Sequence, residues 1–312
     1  MLVLTRWFRR ALVSGVCVAG LLGAGVVPAL ADPGDPPDPG IEEPGPPPPA
    51  EVPPVPAPVP TTPPPGAPPT GDVPPLPVGL LKNSPNNGDV VGVAQPITIV
   101  FAAPVTDKKA AEAAVKITTS KPAPGYFYWY TDQQLRWKPT QFWPANTDVN
   151  VNAGGTKWSF KVGDAFVSTV DDATYTMTVT RNGVVERTMP ISMGKHDKKH
   201  ETKNGTYYVS EKFQKMVMDS STYGVPVNSA EGYKLDVYWA TRLSNSGIFV
   251  HAAPWSVGAQ GKSDTSHGCI NVNTDNATWF FNQSHPGDPV IVKNSPGGPY
   301  KDYDGYDDWQ RF

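Results

Sequence analysis

Between Pro33 and Pro77 the chain carries 22 prolines in 45 residues and no aromatic side chain. Proline lacks the backbone donor and holds φ near −65°, so such a stretch can neither join a sheet ladder nor sustain a helix. It is expected to run extended as a polyproline-like spacer with no core of its own, a stalk rather than a PxxP recognition segment. Anything that folds must lie beyond it.

Upstream, Arg6, Arg9 and Arg10 precede the largely apolar run Ala11 to Val27, and Ala29-Leu30-Ala31 has small residues at cleavage-site spacing. This is the pattern of a signal peptide over residues 1–31, with an uncleaved membrane anchor as the alternative. The paired arginines hint at twin-arginine export, and Ser14-Gly15-Val16 before Cys17 fits a lipid-attachment site poorly. Loss of residues 1–31 removes three arginines and no acid, moving the formal charge from −3 to −6. Seven acids and no Lys or Arg lie in 32–78, so residues 79–312 are near neutral, which argues against a nucleic-acid partner. An exported chain of this kind is placed in the periplasm or cell wall.

Residues 79–163 have an all-β texture. Strand-like runs occur at Pro96–Phe101, Val115–Thr118, Tyr126–Tyr130, Leu135–Trp137 and Val149–Val151, with one short helix expected from Asp107 to Val115. Short strands at this spacing predict an immunoglobulin-like sandwich. No cysteine is present to staple it, so a core including Trp129, Trp137, Trp143 and Trp158 must hold it; the alternative for those rings is a sugar-stacking face. Residues 164–312 form a second β-rich part. Tyr175, Met177 and Val179 alternate with threonines, Asn182-Gly183 supplies a type I′ turn, and Val184–Met189 returns. Further strands are expected at Thr206–Val209, Lys234–Trp239, Gly247–Val250 and Asp288–Val292, and a helix from Asp275 to Phe281 capped by Thr274. The fold class is mainly β, with few short helices.

With Cys17 removed, one thiol remains: Cys269, in Thr265-Ser266-His267-Gly268-Cys269-Ile270-Asn271. A lone thiol in an exported chain is either an intermolecular linker or a reactive group. His251 lies eighteen residues upstream at the end of a predicted strand, and an ordinary thiol needs such an imidazole to make its thiolate available at neutral pH. Gly268 allows a sharp turn, so that the N–H groups of His267, Gly268 and Cys269 are candidates to face a developing oxyanion. His267 is either the base itself or an orienting group, and Asn271 is expected to brace the loop. His196 and His200 are four apart and would share a helix face, but intervening lysines favour a solvated turn over a metal site. His285 reads as an exposed turn residue and Asp236 as an ordinary strand position.

The string His251…Ser266-His267-Gly268-Cys269-Ile270-Asn271 resembles the signature of the L,D-transpeptidase family, whose catalytic domain is also described as YkuD-like. The blocks Met216–Gly224, Gly232–Val237 and His251–Ser256 resemble its actinobacterial branch, which carries a preceding immunoglobulin-like module. The resemblance implies two-step acyl transfer on peptidoglycan tetrapeptide stems, donor and acceptor, through a Cys269 thioester and with no cofactor. It implies carbapenem-type β-lactams as covalent inhibitors and 3→3 cross-links as the product. It places Met218, Tyr223, Tyr233 and Trp255 along the substrate cavity, with Met218 and Tyr223 in a lid; Ser266 and Asn271 are assigned to substrate as well. Ala252 departs from the Ser or Thr common at that position, a change without effect only if the residue acts through its backbone carbonyl. The alternatives are an L,D-carboxypeptidase using water as acceptor, a zinc hydrolase ligated by His251, His267 and Cys269, and a non-catalytic wall-binding module.

Overall fold

The structure, a computed structural model, describes residues 73–312 except 230, 302 and 312, and leaves the side chain of Tyr223 undescribed. The expected leader and nearly all of the spacer lie outside the described residues. No helix among the described residues is long and apolar enough to cross a membrane.

The N-terminal part contains β1 (Leu80–Ser84), β2 (Val90–Val91), β3 (Ile97–Phe101), β4 (Val115–Thr119), β5 (Gly125–Thr131), β6 (Gln134–Pro139), β7 (Asp148–Ala153) and β8 (Thr156–Val162), with α1 (Lys108–Ala113) before β4. They form two four-stranded sheets, ordered β1-β3-β6-β5 and β2-β8-β7-β4. Alternation in β8 sends Trp158, Phe160 and Val162 inward and the residues between them outward, as a half-buried strand requires. Trp137, Trp143 and Trp158 are buried and Trp129 is partly buried, stacked on Phe101, so these rings are core rather than a sugar platform. Leu76 and Val78, which the sequence assigns to the spacer, pack against the same core.

The C-terminal part comprises β9 (Phe166–Asp171), β10 (Thr176–Arg181), β11 (Val184–Pro190), β12 (Gly205–Tyr208), β13 (Lys212–Asp219), β14 (Lys234–Arg242), β15 (Phe249–Ala252), β16 (Ile270–Val272), α2 (Thr274–Gln283) and β17 (Pro289–Lys293). Its sheets run β11-β10-β9-β17-β12 and β13-β14-β15-β16. Asn182 and Gly183 have φ of 50° and 83°, the doubly positive turn that closes the β10–β11 hairpin. Tyr175 does not open that hairpin: it sits at φ 51° and ends a 3₁₀ turn that Asp171 caps, so the strand begins at Thr176. Thr274 is the first residue of α2 rather than its cap; Asn273 Oδ1 accepts the Asn276 N–H at 2.8 Å. Met177, Val179, Val250, Ile270, Val272 and Phe280 fill the core shared by the two sheets and α2.

The C-terminal tail straps the two parts together. Arg136 of β6 gives Nη1 to both carboxylate oxygens of Asp308 at 2.8 Å, and Asp308 also accepts the hydroxyls of Tyr128 and of Tyr208, the latter at 2.7 Å. Trp309 packs edge-on to Phe142 and donates its indole N–H to Ala94 O at 2.7 Å. The Gly92 and Ala94 N–H groups donate across the junction to Pro286 O and Gly287 O, each at 2.8 Å. The side chains of Arg136 and Asp308 are 8% and 0% exposed, so neither charge has water to fall back on. Asp308→Asn should therefore lower the unfolding free energy of the two-domain protein by about 3–5 kcal/mol in denaturant titration. A loss under about 1 kcal/mol would mean that the strap does not hold the parts together.

Candidate active site

β15 and β16 are parallel neighbours, registered Val250 with Ile270, His251 with Asn271 and Ala252 with Val272. Val250, Ala252, Ile270 and Val272 enter the main core, so the intervening side chains face the other way. Phe249, His251, Cys269 and Asn271 thus share one sheet face, with Phe249 and Cys269 joining a smaller apolar cluster around Val237 and Ala240. The catalytic candidates Cys269 and His251 are brought together as diagonal neighbours on that face.

His251 is buried, and its Nδ1 lies 2.9 Å from the carbonyl oxygen of Ala252. A carbonyl only accepts, so Nδ1 carries the proton and Nε2 keeps its lone pair. Residue 252 thus meets the imidazole through its backbone carbonyl, while its side chain enters the core. Burial lowers the His251 pKa, against a smaller opposite pull from the Ala252 carbonyl, so the ring is neutral at neutral pH. Burial also pushes the Cys269 thiol up, to about 11, and its Sγ is 3.4 Å from the Gly247 carbonyl. The resting pair is a thiol beside a neutral imidazole, not a preformed ion pair.

The turn before Cys269 is held from within. Ser266 Oγ accepts the Gly268 N–H at 3.0 Å and donates to Cys269 O at 2.7 Å. The expectation that the Gly268 N–H faces an oxyanion is corrected here, because that donor is already spent on Ser266. Ser266, expected at the substrate, lines the smaller of the two cavities at the thiol, and its largely buried hydroxyl also shapes the loop. Gly268 has φ +120°, and a Cβ there would lie 2.9 Å from Ile248 Cδ1, so the position requires glycine. Asn271 braces the crossover as expected, through Nδ2 to Ser256 Oγ at 3.3 Å, while its buried Oδ1 has no partner.

His267 is fastened elsewhere. Its Nε2 pairs with Glu231 Oε2 at 3.0 Å, the oxygen that also takes Lys195 Nζ at 2.6 Å, and its ring meets His200 edge-on at 4.4 Å. Burial lowers its pKa, with Lys195 and His200 adding to the effect and Glu231 opposing it. Glu231 and His200 were not marked by the sequence as neighbours of the motif; no local spacing links them to it. His200 was expected on a solvated turn, yet it is buried, its Nδ1 2.6 Å from Asp197 Oδ2 and its Nε2 without a partner. The lysines between the two histidines do face solvent. Asp236 pairs with Lys215 on the surface at 2.8 Å, an ordinary strand position, and His285 is an exposed turn residue.

Two cavities meet at the thiol. One, of about 400 Å³, is lined by His251, Trp255, Ser256, Asn271 and Cys269 among others; the second, of about 590 Å³, by His200, Gly268, Met216 and Cys269 among others. Met218, Tyr233, His267 and Cys269 line both. Trp255 is 58% exposed at the rim of the first, its ring 6.1 Å from that of His251. The side chain of Tyr223, the other expected substrate contact, lies outside the described residues. Among the described residues, the metal-competent group that includes a motif residue is His200, Glu231 and His267, and neither His251 nor Cys269 belongs to it.

Residues 165–292 match the model of the L,D-transpeptidase catalytic domain and residues 77–156 that of a bacterial Ig domain. L,D-transpeptidase 2 of Mycobacterium tuberculosis is 47% identical over 239 residues, covering 72% of this chain and 58% of that protein; L,D-transpeptidase 1 of the same species is 44% identical over 214 residues, covering 69% and 84%. Among solved structures, the L,D-transpeptidase LdtMt1 in complex with imipenem aligns with a TM-score of 0.66 at 42% identity, over 69% of this chain and 99% of that one. An L,D-transpeptidase from Mycobacterium smegmatis aligns with a TM-score of 0.64 at 44% identity, over 70% and 99%. Mycobacterium tuberculosis L,D-transpeptidase 3 with a faropenem-derived adduct gives 0.62 at 36% identity, over 69% and 98%. The chain belongs to the L,D-transpeptidase family.

The neutral resting pair has a kinetic signature. Alkylation of Cys269 by a small haloacetamide should keep accelerating as pH rises well beyond neutrality, because the thiol is raised to about 11. At neutral pH His251→Ala should slow it by about 10²-fold, the scale of a lost general base. A rate that levels off below pH 8, or a profile that His251→Ala leaves unchanged, contradicts this pairing.

Proposed function

We propose that the chain is a peptidoglycan L,D-transpeptidase that works through a Cys269 thioester and forms 3→3 cross-links between stem peptides. The observation that carries this reading is His251, its Nδ1 2.9 Å from the Ala252 carbonyl, on the same sheet face as Cys269, with the thiol where two cavities meet. A neutral Nε2 can take the thiol proton only as Sγ attacks, so proton transfer belongs to the acylation step. Sγ bonds to the carbonyl carbon of the third stem residue, the bond to the terminal D-alanine breaks, and the proton on His251 passes to the leaving amine. In the second half, His251 accepts a proton from the side-chain amine of an acceptor stem as that amine attacks the thioester. The new amide forms and the proton returns to sulfur.

Two cavities sharing the nucleophile favour two peptide substrates over one peptide and water. Met218 and Tyr233 would contact both stems and Trp255 would cover the first cavity from its rim. His267, held by Glu231, is assigned to positioning the second cavity's wall rather than to the proton.

Incubation with a disaccharide-tetrapeptide should give cross-linked dimer and released D-alanine by mass analysis, and Cys269→Ser should give neither. Tripeptide without dimer would overturn the transpeptidase reading in favour of the carboxypeptidase. Carbapenem-type β-lactams present a strained amide carbonyl to the same thiol. One adduct per chain is expected by intact mass, mapping to Cys269; an adduct on any other residue contradicts the thioester mechanism.

A further inference from the structure

Outside the site just described, one partly buried group of ionisable side chains has no role in the chemistry. Asp172 follows β9, His196 stands on the turn after β11, and Asp264 lies two residues before Ser266. His196 Nε2 is 3.0 Å from Asp172 Oδ2 and 3.1 Å from Asp264 Oδ2. One ring nitrogen carries at most one proton, so it cannot satisfy both carboxylates. Both acid side chains are only 2% exposed, and Asp264 Oδ2 and Asp172 Oδ1 are buried without a hydrogen-bond partner. Lys195 and Lys293, two of the lysines close to the group in sequence, are engaged elsewhere, by Glu231 and by Asp171. Two buried carboxylates thus face a single imidazole, which can offer them at most one positive charge.

We propose that Asp172, His196 and Asp264 form a divalent transition-metal site, of which zinc is the best-fitting ion, that ties the catalytic crossover to the end of β9. Tetrahedral zinc with bonds of about 2.0–2.2 Å to N and O holds its ligands roughly 3.3 Å apart. The nitrogen here stands 3.0 and 3.1 Å from the two oxygens, and all three donor atoms lie within 4.8 Å of one another. One imidazole with two carboxylates suits a borderline cation and disfavours calcium or magnesium, which prefer all-oxygen cages. The Asp264 carboxylate is oriented from behind by the Met193 N–H, 2.5 Å from Oδ1, the kind of outer support that ligating carboxylates have. His196 is 45% exposed, which leaves an entry path and room for water as a fourth ligand. Without a cation the pair must share a proton instead: burial and the neighbouring Asp172 push Asp264 up to about 7.

The test uses the Cys269→Ser protein after chelator treatment, so that the thiol cannot bind zinc. Titration calorimetry with zinc chloride is expected to show one ion per chain, and the melting temperature should rise with zinc concentration. Asp264→Asn, which keeps the shape of the side chain, and His196→Ala, on an exposed turn, should each weaken binding by at least about tenfold while far-UV circular dichroism stays unchanged. Absence of zinc binding would overturn the proposal in favour of a shared proton. So would binding that survives both substitutions, or that is lost only in Glu231→Gln or His267→Ala, since His200, Glu231 and His267 are the rival donor set.

Discussion

Two short strands, β15 and β16, run parallel, and the consequences of that pairing reach every part of the site. Parallel neighbours cannot be joined by a tight turn; the chain must cross over, which takes a dozen residues or more. Residues 253–269 make that crossover, and this is the physical origin of the spacing between His251 and Cys269. The register then sets which face each side chain takes. Since Val250, Ala252, Ile270 and Val272 are claimed by the core, His251 and Cys269 have only the opposite face left. The core thus selects the site's geometry, and a one-residue slip would bury the wrong set.

The crossover is pinned to the rest of the domain mainly by backbone. Ser266 N donates to Met193 O, Lys195 N to Ser266 O and Gly261 N to Ile191 O, each at 2.9–3.0 Å. Gln260 Nε2 reaches back to Ala253 O at 3.1 Å. Because main-chain groups carry so much of this, side chains can vary where only a carbonyl matters, as at Ala252. Where a side chain is essential, its demand is strict: Ser266 Oγ both accepts from the Gly268 N–H and donates to Cys269 O, which alanine could not do. The same burial that builds the site raises the thiol and lowers the imidazole, so reactivity waits for substrate.

Local pattern made much of this legible. Asn182-Gly183 announces its hairpin, the inward tryptophans of the sandwich are visible as hydrophobic mass, and the motif at Ser266–Asn271 marks the nucleophile. What escaped had no local signal. β16 is three residues long and reads as a continuation of the motif; β9 and β13 carry Ser, Lys and Gln among their apolar residues, which blurs the period. The fate of the Gly268 N–H depends on a serine rotamer, and Glu231 reaches His267 across a separation of 36 residues. The Asp308 strap joins positions 172 residues apart, a contact that no window along the chain can contain.

The claim at the centre of this account is the protonation state of one ring. Nitrogen-15 NMR of His251 in the substrate-free protein reads it directly, with His251→Gln supplying the assignment. At pH 7 the account predicts a neutral ring with the proton on Nδ1 and a bare Nε2, titrating below the ordinary value of 6.5. An imidazolium at pH 7, or a neutral ring protonated on Nε2, would contradict it.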